Sequence, residues 1–308
     1  METLKEALSK AANEVELLLS NGGWSYKPTY RAVLAKQGYY VKQTIGSGSY
    51  SKVKLAVDYD NKRKLVAIKI IDRQKAPKDY QDRFLPRELS IWSSLRHPNL
   101  VNLHRYFESN QKVFMILDYG INGDALEYIQ KKGAISERNA CRWFRQTISA
   151  VGYMHALDIA HRDLKLENLL LNKTWDIIVC DFGFVKDDCK SLSSTFCGSK
   201  SYAAPEILLG NPYLPKKADV WALGVILYIF ITGQMPFSEA KGTKSILNEQ
   251  RSLINNFPKC QKIPSLVRDL VRNLFTYDFY KRPEIEAIWS NNWILNHNGL
   301  ISRKSNKL

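Results

Sequence analysis

A chain of 308 residues with 45% apolar and 24% charged residues has the composition of a globular protein and length enough for one large domain or two lobes, which excludes disordered and fibrous classes. The formal net charge of +15 suits acidic partners in general, but no basic stripe interleaved with aromatics and no nucleic-acid motif is present, so it reads as a dispersed, solvated basic surface. Five cysteines with no CxxC pair and no histidine at ligand spacing argue against a zinc site; without a secretory signal they suggest reduced thiols in the cytosol or nucleus.

Residues 1–20 set Leu4, Leu8, Ala11, Val15, Leu18 and Leu19 at helical spacing, an amphipathic helix stopped by Asn21-Gly22-Gly23. It suits docking to a partner or packing back on its own domain. Trp24, Tyr26 and Tyr30 follow in a connecting segment that could be held against a surface, and the main domain starts near Gly38. From Tyr39 to Ile71, alternation predicts strands. Between the first two lies Gly46-Ser47-Gly48-Ser49-Tyr50-Ser51, whose glycines let a backbone approach phosphate oxygens; a plain hairpin turn fits equally well. The strand Val66-Ala67-Ile68-Lys69 ends on a lysine, and the helical stretch Asp82 to Leu95 carries Glu88. Either Lys69 holds phosphates with Glu88 orienting it, or the two are exposed charges on unrelated elements.

After a turn at His97-Pro98-Asn99, two more strands run to Val113-Phe114-Met115-Ile116-Leu117, and glycines mark Asp118 to Asp124 as a connector. From Ala125 helical periodicity dominates, with Ile135-Ser136-Glu137 opening a long segment to about His155. Strands first and helices second predict an α+β protein of two lobes. The apolar run Val220 to Ile231 is about 12 residues against the ~18 of a spanning helix, so it predicts a buried core helix.

The densest chemistry lies in His161-Arg162-Asp163-Leu164-Lys165-Leu166-Glu167-Asn168. Asp163 suits accepting a proton from a hydroxyl, Lys165 neutralising a phosphoryl group in transit, and Asn168 offering an oxygen to a divalent metal. A solvated charged turn is the other reading. Leu169-Leu170-Leu171 and Ile177-Ile178-Val179 predict a short hairpin, after which Asp181-Phe182-Gly183, also common by chance, can return a carboxylate to the same metal. A serine- and threonine-rich loop from Phe184 to Tyr202 ends at Ala204-Pro205-Glu206.

Gly46-Ser47-Gly48, Val66-Ala67-Ile68-Lys69, Glu88, the His161 to Asn168 loop, Asp181-Phe182-Gly183 and Ala204-Pro205-Glu206, in this order, resemble the eukaryotic protein kinases over residues 39 to 295. The resemblance implies a two-lobed α+β kinase fold, with a small β-rich N-lobe (39–119) and a larger α-helical C-lobe (120–295). An N-terminal extension (1–38) and a basic tail (296–308) flank it. It also implies transfer of the ATP γ-phosphate to protein substrates with Mg²⁺. Asp163 then looks like the catalytic base, Lys165 the γ-phosphate contact, Asn168 and Asp181 the metal ligands, and Lys69 with Glu88 the ion pair that positions ATP. Lys165 two residues after the base is the serine/threonine form of this loop, so the acceptor is a Ser or Thr hydroxyl.

By the same resemblance Ile45, Gly46, Ser47, Gly48, Ser49, Tyr50 and Ser51 cover the nucleotide. Asp118 and Gly120 offer backbone groups to adenine, Leu117 is the gatekeeper behind it, and Val53, Ala67 and Leu170 sandwich the ring. Asp124 lines the nucleotide site and, with Glu167, can receive a basic residue upstream of the phosphoacceptor. Asp219 resembles the aspartate that braces the catalytic loop, and Arg282 the partner of Glu206. Thr195 resembles the activating phosphosite, modified by an upstream kinase and met by Arg162.

Gly48-Ser49-Tyr50-Ser51-Lys52-Val53, Asp181-Phe182-Gly183-Phe184, Thr195-Phe196-Cys197-Gly198-Ser199, Tyr202-Ala203-Ala204-Pro205-Glu206 and Pro215-Lys216-Lys217 look like the testis-specific serine/threonine kinases, a branch of the calcium/calmodulin and AMP-activated kinase group. That likeness implies a role in spermatid differentiation and a cytoplasmic location, with the nucleus or sperm flagellum as further compartments. Trp92 departs from it, standing where a Leu or Met generally stacks on Phe182. Ile229 replaces an acid of some basophilic kinases, which implies a preference for one upstream arginine. A kinase-shaped scaffold and an AMP-activated-type kinase outside the germline are the competing readings; retention of Lys69, Asp163, Asn168 and Asp181 argues against the scaffold.

Overall fold

A computed structural model describes residues 29–195, 198–252 and 263–296; the expected helix of residues 1–20, Trp24, Tyr26, Phe196, Cys197 and the basic tail lie outside them. The chain divides into two compact units, Met1–Pro86 with Asn102–Tyr119 and Arg87–Val101 with Gly120–Leu308. Strands build the first and helices dominate the second, the α+β division expected from the sequence.

In chain order the described elements are α1 (Tyr30–Lys36), β1 (Tyr39–Ser47), β2 (Ser51–Asp58), β3 (Lys64–Asp72), a π-helical turn (Tyr80–Phe84) running into α2 (Leu85–Ser94), β4 (Leu103–Ser109) and β5 (Lys112–Asp118). Then come α3 (Ala125–Lys132), α4 (Glu137–Ala156), β6 (Leu169–Leu171), β7 (Ile177–Val179), α5 (Pro205–Leu208), α6 (Pro215–Thr232), α7 (Thr243–Ser252), α8 (Ser265–Leu274), α9 (Ile285–Trp289) and α10 (Asn292–Asn296).

The strand unit is one antiparallel sheet of order β1-β2-β3-β5-β4. Alternation along β3 sends Val66, Ile68 and Ile70 to one face, where they join Tyr39, Val41, Ala56, Phe114 and Ile116 in a buried cluster. Leu34 of α1, fully buried, belongs to that cluster, so the connecting segment contributes a helix to this face of the sheet. Seven residues are too few to hold a helix by propensity. Burying Leu34 contributes roughly 2 kcal/mol, and the Thr29 hydroxyl caps the first turn by accepting from the Ala32 N–H at 3.3 Å.

The helical unit is built around α6. Its apolar run is buried on every side, the pattern of a helix enclosed by a core. Ser136 caps the long α4, its hydroxyl accepting from Asn139 N–H at 3.4 Å. Arg282, 1% exposed, makes a two-pronged ion pair with Glu206 at 2.8 and 3.0 Å and donates further to the Lys217 and Thr276 carbonyls. Among the described residues no helix is long and apolar enough to cross a membrane.

Candidate active site

In the strand unit, register assembles what the sequence leaves on separate strands. Val53 lies opposite Lys69, Lys69 opposite Met115, and Ala67 opposite both Leu55 and Leu117. Opposed residues share a face, so Val53, Ala67, Lys69 and Leu117 stand together on the side away from α1. Ile45, Gly46 and Ser47 end β1, and the turn through Gly48, Ser49 and Tyr50 reaches Ser51 at the start of β2, closed by the Gly48 N–H donating to Ser51 O at 2.9 Å. The Tyr50 ring rests against Tyr80, centroids 4.6 Å apart.

Asp118 ends β5. Burial alone would raise its pKa, but bonds to His104, Asn102 and Lys64 at 2.8 to 3.1 Å hold it far below the usual carboxylate range. Its N–H donates to Asn102 O at 3.2 Å.

In the helical unit, Gly120, Asp124 and Leu170 are neighbours. A Cβ on Gly120 would stand 2.8 Å from Leu170 Cβ, a space only glycine leaves open. Asp124 bridges to Leu170 and caps α3, Oδ1 accepting from Glu127 N–H at 2.8 Å. Burial raises its pKa.

Asp219 of α6, 1% exposed, accepts the His161 and Arg162 backbone N–H groups at 2.8 Å each and lies 2.9 Å from His155 Nε2. These bonds hold Arg162 at φ +65°, a left-handed conformation that non-glycine residues rarely adopt. The next residue, Asp163, is buried. Its Oδ2 accepts from Lys165 Nζ at 2.8 Å and Asn168 Nδ2 at 3.1 Å, and Asn168 Nδ2 also donates to Asp163 O at 2.8 Å. Among the described residues every hydrogen bond to this carboxylate falls on Oδ2, which leaves Oδ1 to accept from a hydroxyl.

For Lys165, burial acts to lower the pKa, but the hydrogen bond to Asp163 and the charges of Asp163, Glu167 and Asp181 outweigh it and the net shift is upward. The ammonium is therefore kept through neutral pH, and it donates also to Ser199 Oγ at 3.3 Å.

With its amide nitrogen engaged on Asp163, Asn168 turns its amide oxygen away from that residue. The Cys180 N–H donates to Asn168 O at 2.9 Å, fastening the residue before Asp181 to the loop; Asp181 itself sits at φ +65°. An amide oxygen and a carboxylate are hard donors that fit a hard divalent cation. Among the described residues no group of three or more His, Cys, Asp or Glu side chains could hold a metal. A cation at Asn168 and Asp181 would complete its shell from water and phosphate oxygens, as nucleotide-bound ions do.

Other contributors are visible only in three dimensions. Gly198, at φ +85°, packs so closely that a Cβ would lie 2.8 Å from Arg162 O and 3.3 Å from Asp163 Oδ1. The Tyr202 hydroxyl accepts from the Leu166 N–H at 3.4 Å. In the sequence these are small or polar members of a loop with no periodicity; the signal available was the Cys197-Gly198-Ser199 motif, which does not say what it touches. Glu88 of α2 is buried at 1% exposure. Trp92, also on α2, donates its Nε1–H to Val101 O at 2.7 Å and places its ring 4.8 Å from Phe182, so the wider indole is accommodated beside Phe182. Thr195 is exposed, its carbonyl accepting from the Tyr213 hydroxyl at 2.9 Å, while Arg162 donates to Phe184 O at 2.7 Å and reaches Ser193 Oγ at 3.5 Å.

The family model for the protein kinase domain matches residues 39–294. The chain is 44% identical over 271 residues to testis-specific serine/threonine-protein kinase 1 of Mus musculus, covering 85% of this chain and 73% of that protein. It is 39% identical over 283 residues to testis-specific serine/threonine-protein kinase 4 of Homo sapiens, covering 86% and 85%. NUAK family SNF1-like kinase 2 of Rattus norvegicus is 39% identical over 258 residues, covering 83% of this chain and 40% of that protein. A matched kinase domain and the serine/threonine kinases it aligns with place the chain in one family: it belongs to the protein kinases, as a serine/threonine protein kinase.

Proposed function

We propose that this kinase works through Asp163 as base, on ATP with Mg²⁺, and that phosphorylation of Thr195 by an upstream kinase switches it on. The observation that carries the reading is the one-sided bonding of the Asp163 carboxylate: Oδ2 is fixed by Lys165 and Asn168, and Oδ1 remains to take the proton of a Ser or Thr hydroxyl. As the oxygen of that Ser or Thr hydroxyl bonds to the γ-phosphorus, the bond from phosphorus to the ADP oxygen breaks. Lys165, kept charged by its acidic neighbours, neutralises the transferring group. Mg²⁺ supplies charge neutralisation at the phosphates, and Asn168 with Asp181 would hold it. Lys69 and Glu88 orient ATP, Ile45 to Ser51 cover it, and Val53, Ala67, Leu117, Asp118, Gly120, Asp124 and Leu170 receive the nucleoside.

Asp124 and Glu167 receive one basic residue upstream of the acceptor. Residues 39–295 form the catalytic domain, with 1–38 and 296–308 as additions outside it. Likeness to kinases named testis-specific supports a role in spermatid differentiation, in the cytoplasm and with the nucleus or flagellum as further sites. The test compares kinase phosphorylated at Thr195, phosphatase-treated kinase and Thr195→Ala on a Ser peptide with one upstream arginine. The phosphorylated form should exceed both others by about tenfold or more, because a new phosphate orders its segment through charge-assisted bonds. Equal rates in all three would remove Thr195 from the account.

A further inference from the structure

The strand unit holds a second feature, a cavity of about 150 Å³ on the α1 side of the sheet. Lys52 and Lys54 alternate with Val53 along β2 and so face the side of Ala56, the side that α1 covers. Both line the cavity, with Lys75, Tyr30 of α1 and the Gly48 to Ser51 turn. Asp72 and Lys112 are also at its wall; they bind each other at 2.6 Å, and the Asp72 charge also acts on Lys75.

Lys54 is only 7% exposed, yet its partners are neutral: it donates to Thr44 Oγ1 at 2.6 Å and lies 5.3 Å from the centre of the Tyr30 ring. Among the described residues no carboxylate forms an ion pair with Lys52, Lys54 or Lys75. A shielded ammonium without a counter-charge is unfavourable. Only Lys54 is shielded; Lys52 and Lys75 are exposed and bring two further cations to the same cavity, so an anion seated there would meet all three.

We propose that this cavity is a binding site for a phosphate monoester group. Such a group carries about −1.5 to −2 charge and three acceptor oxygens, a match for three ammonium groups that a single carboxylate lacks. The volume is that of a cavity known to take a benzene-sized molecule, room for the phosphate and the first carbons of its ester. Ile70 and the rings of Tyr30 and Tyr50 supply the apolar wall those carbons need. Because the Gly48 to Ser51 turn forms part of the wall, an occupant restrains that turn and alters the affinity for ATP. This coupling, though not the site, rests on the proposed role of the turn over the nucleotide.

The test uses the full chain with its nucleotide site saturated by the magnesium complex of a non-hydrolysable ATP analogue. O-phospho-L-serine and, separately, a phosphoserine peptide are titrated in, with binding read by calorimetry and ³¹P line widths. Both probes should saturate a single site, weakened about tenfold by Lys54→Met, which removes a charge-assisted bond, and a few fold by Lys75→Ser. Lys75 is exposed, so its variant keeps the test decisive if Lys54→Met does not fold. Equal affinity for the two probes assigns the site to small phosphate esters, and tighter binding of the peptide assigns it to a phosphorylated polypeptide. No saturable binding, or binding that neither variant alters, overturns the proposal. A site that binds while the KM for ATP stays fixed would retain the pocket and reject the role of the turn.

Discussion

Asp219→Asn tests how the catalytic loop is held. In the native protein one carboxylate receives two backbone N–H groups at 2.8 Å and faces His155 at 2.9 Å, all out of solvent. An amide of the same shape can accept one of the two N–H groups but must set its own NH₂ against the other. One charge-assisted bond is weakened and one donor is orphaned, each about 1–3 kcal/mol, for a loss of about 2–6 kcal/mol. The left-handed Arg162 reduces this loss, since the ~1–2 kcal/mol its conformation costs is regained if the loop relaxes. Relaxation moves Asp163, the adjacent residue, and a displacement near 1 Å costs about 100-fold in rate. Urea unfolding followed by fluorescence gives the first quantity; steady-state phosphorylation of a Ser peptide, with kcat and KM separated, gives the second. The expected result is a lower unfolding midpoint and a fall in kcat with KM for ATP little changed. Stability within about 0.5 kcal/mol of wild type, the range of ordinary surface changes, together with an unchanged kcat would show that Asp219 does not hold the catalytic loop.

Gly198→Ala should lower kcat by about tenfold or more, through left-handed strain and a Cβ pressed on Arg162 O beside Asp163 Oδ1, with a smaller effect on stability than Asp219→Asn; the same two assays read it. Arg282→Met should destabilise by about 3–5 kcal/mol in urea unfolding, because Glu206 is left charged and buried. Asp118 has a folded pKa below its unfolded value, so its contribution is present above the unfolded pKa and is lost as pH falls toward the folded one. The stability gap between wild type and Asp118→Asn should be full at pH 7 and narrow below about pH 4. Burial pushes the Cys141 thiol up to about 11 and the Cys189 thiol up to about 12, so both should resist iodoacetamide at pH 8 until the chain unfolds, as peptide mass spectrometry would show.

What the sequence could reveal follows from how local each relation is. Asp163, Lys165 and Asn168 lie within one short loop, so their spacing alone places them together, and the structure joins all three by hydrogen bonds. The face shared by Val53, Ala67, Lys69 and Leu117 needed strand register as well as alternation. The helix α1 reads as a connector because nothing in its seven residues stabilises it; Leu34 does so only by entering a cluster formed by four strands. The π-helical turn at Tyr80–Phe84 opens a stretch that periodicity reads simply as helix, since a single widened turn barely alters the apolar spacing. Gly198 carries no periodic signal and meets Asp163 only after the chain has doubled back, so its role emerges from coordinates alone.

Proton transfer from the acceptor hydroxyl to Asp163 is the step on which the proposed function rests. Its most direct test is phosphate transfer from labelled ATP with Mg²⁺ to a Ser peptide, comparing wild type with Asp163→Asn under matched fold and ATP binding. Wild type should transfer phosphate and the variant should lose at least about 100-fold in rate, with the KM for ATP retained. Equal transfer by the two proteins would contradict this, as would a folded, ATP-binding wild type, phosphorylated at Thr195, that transfers nothing.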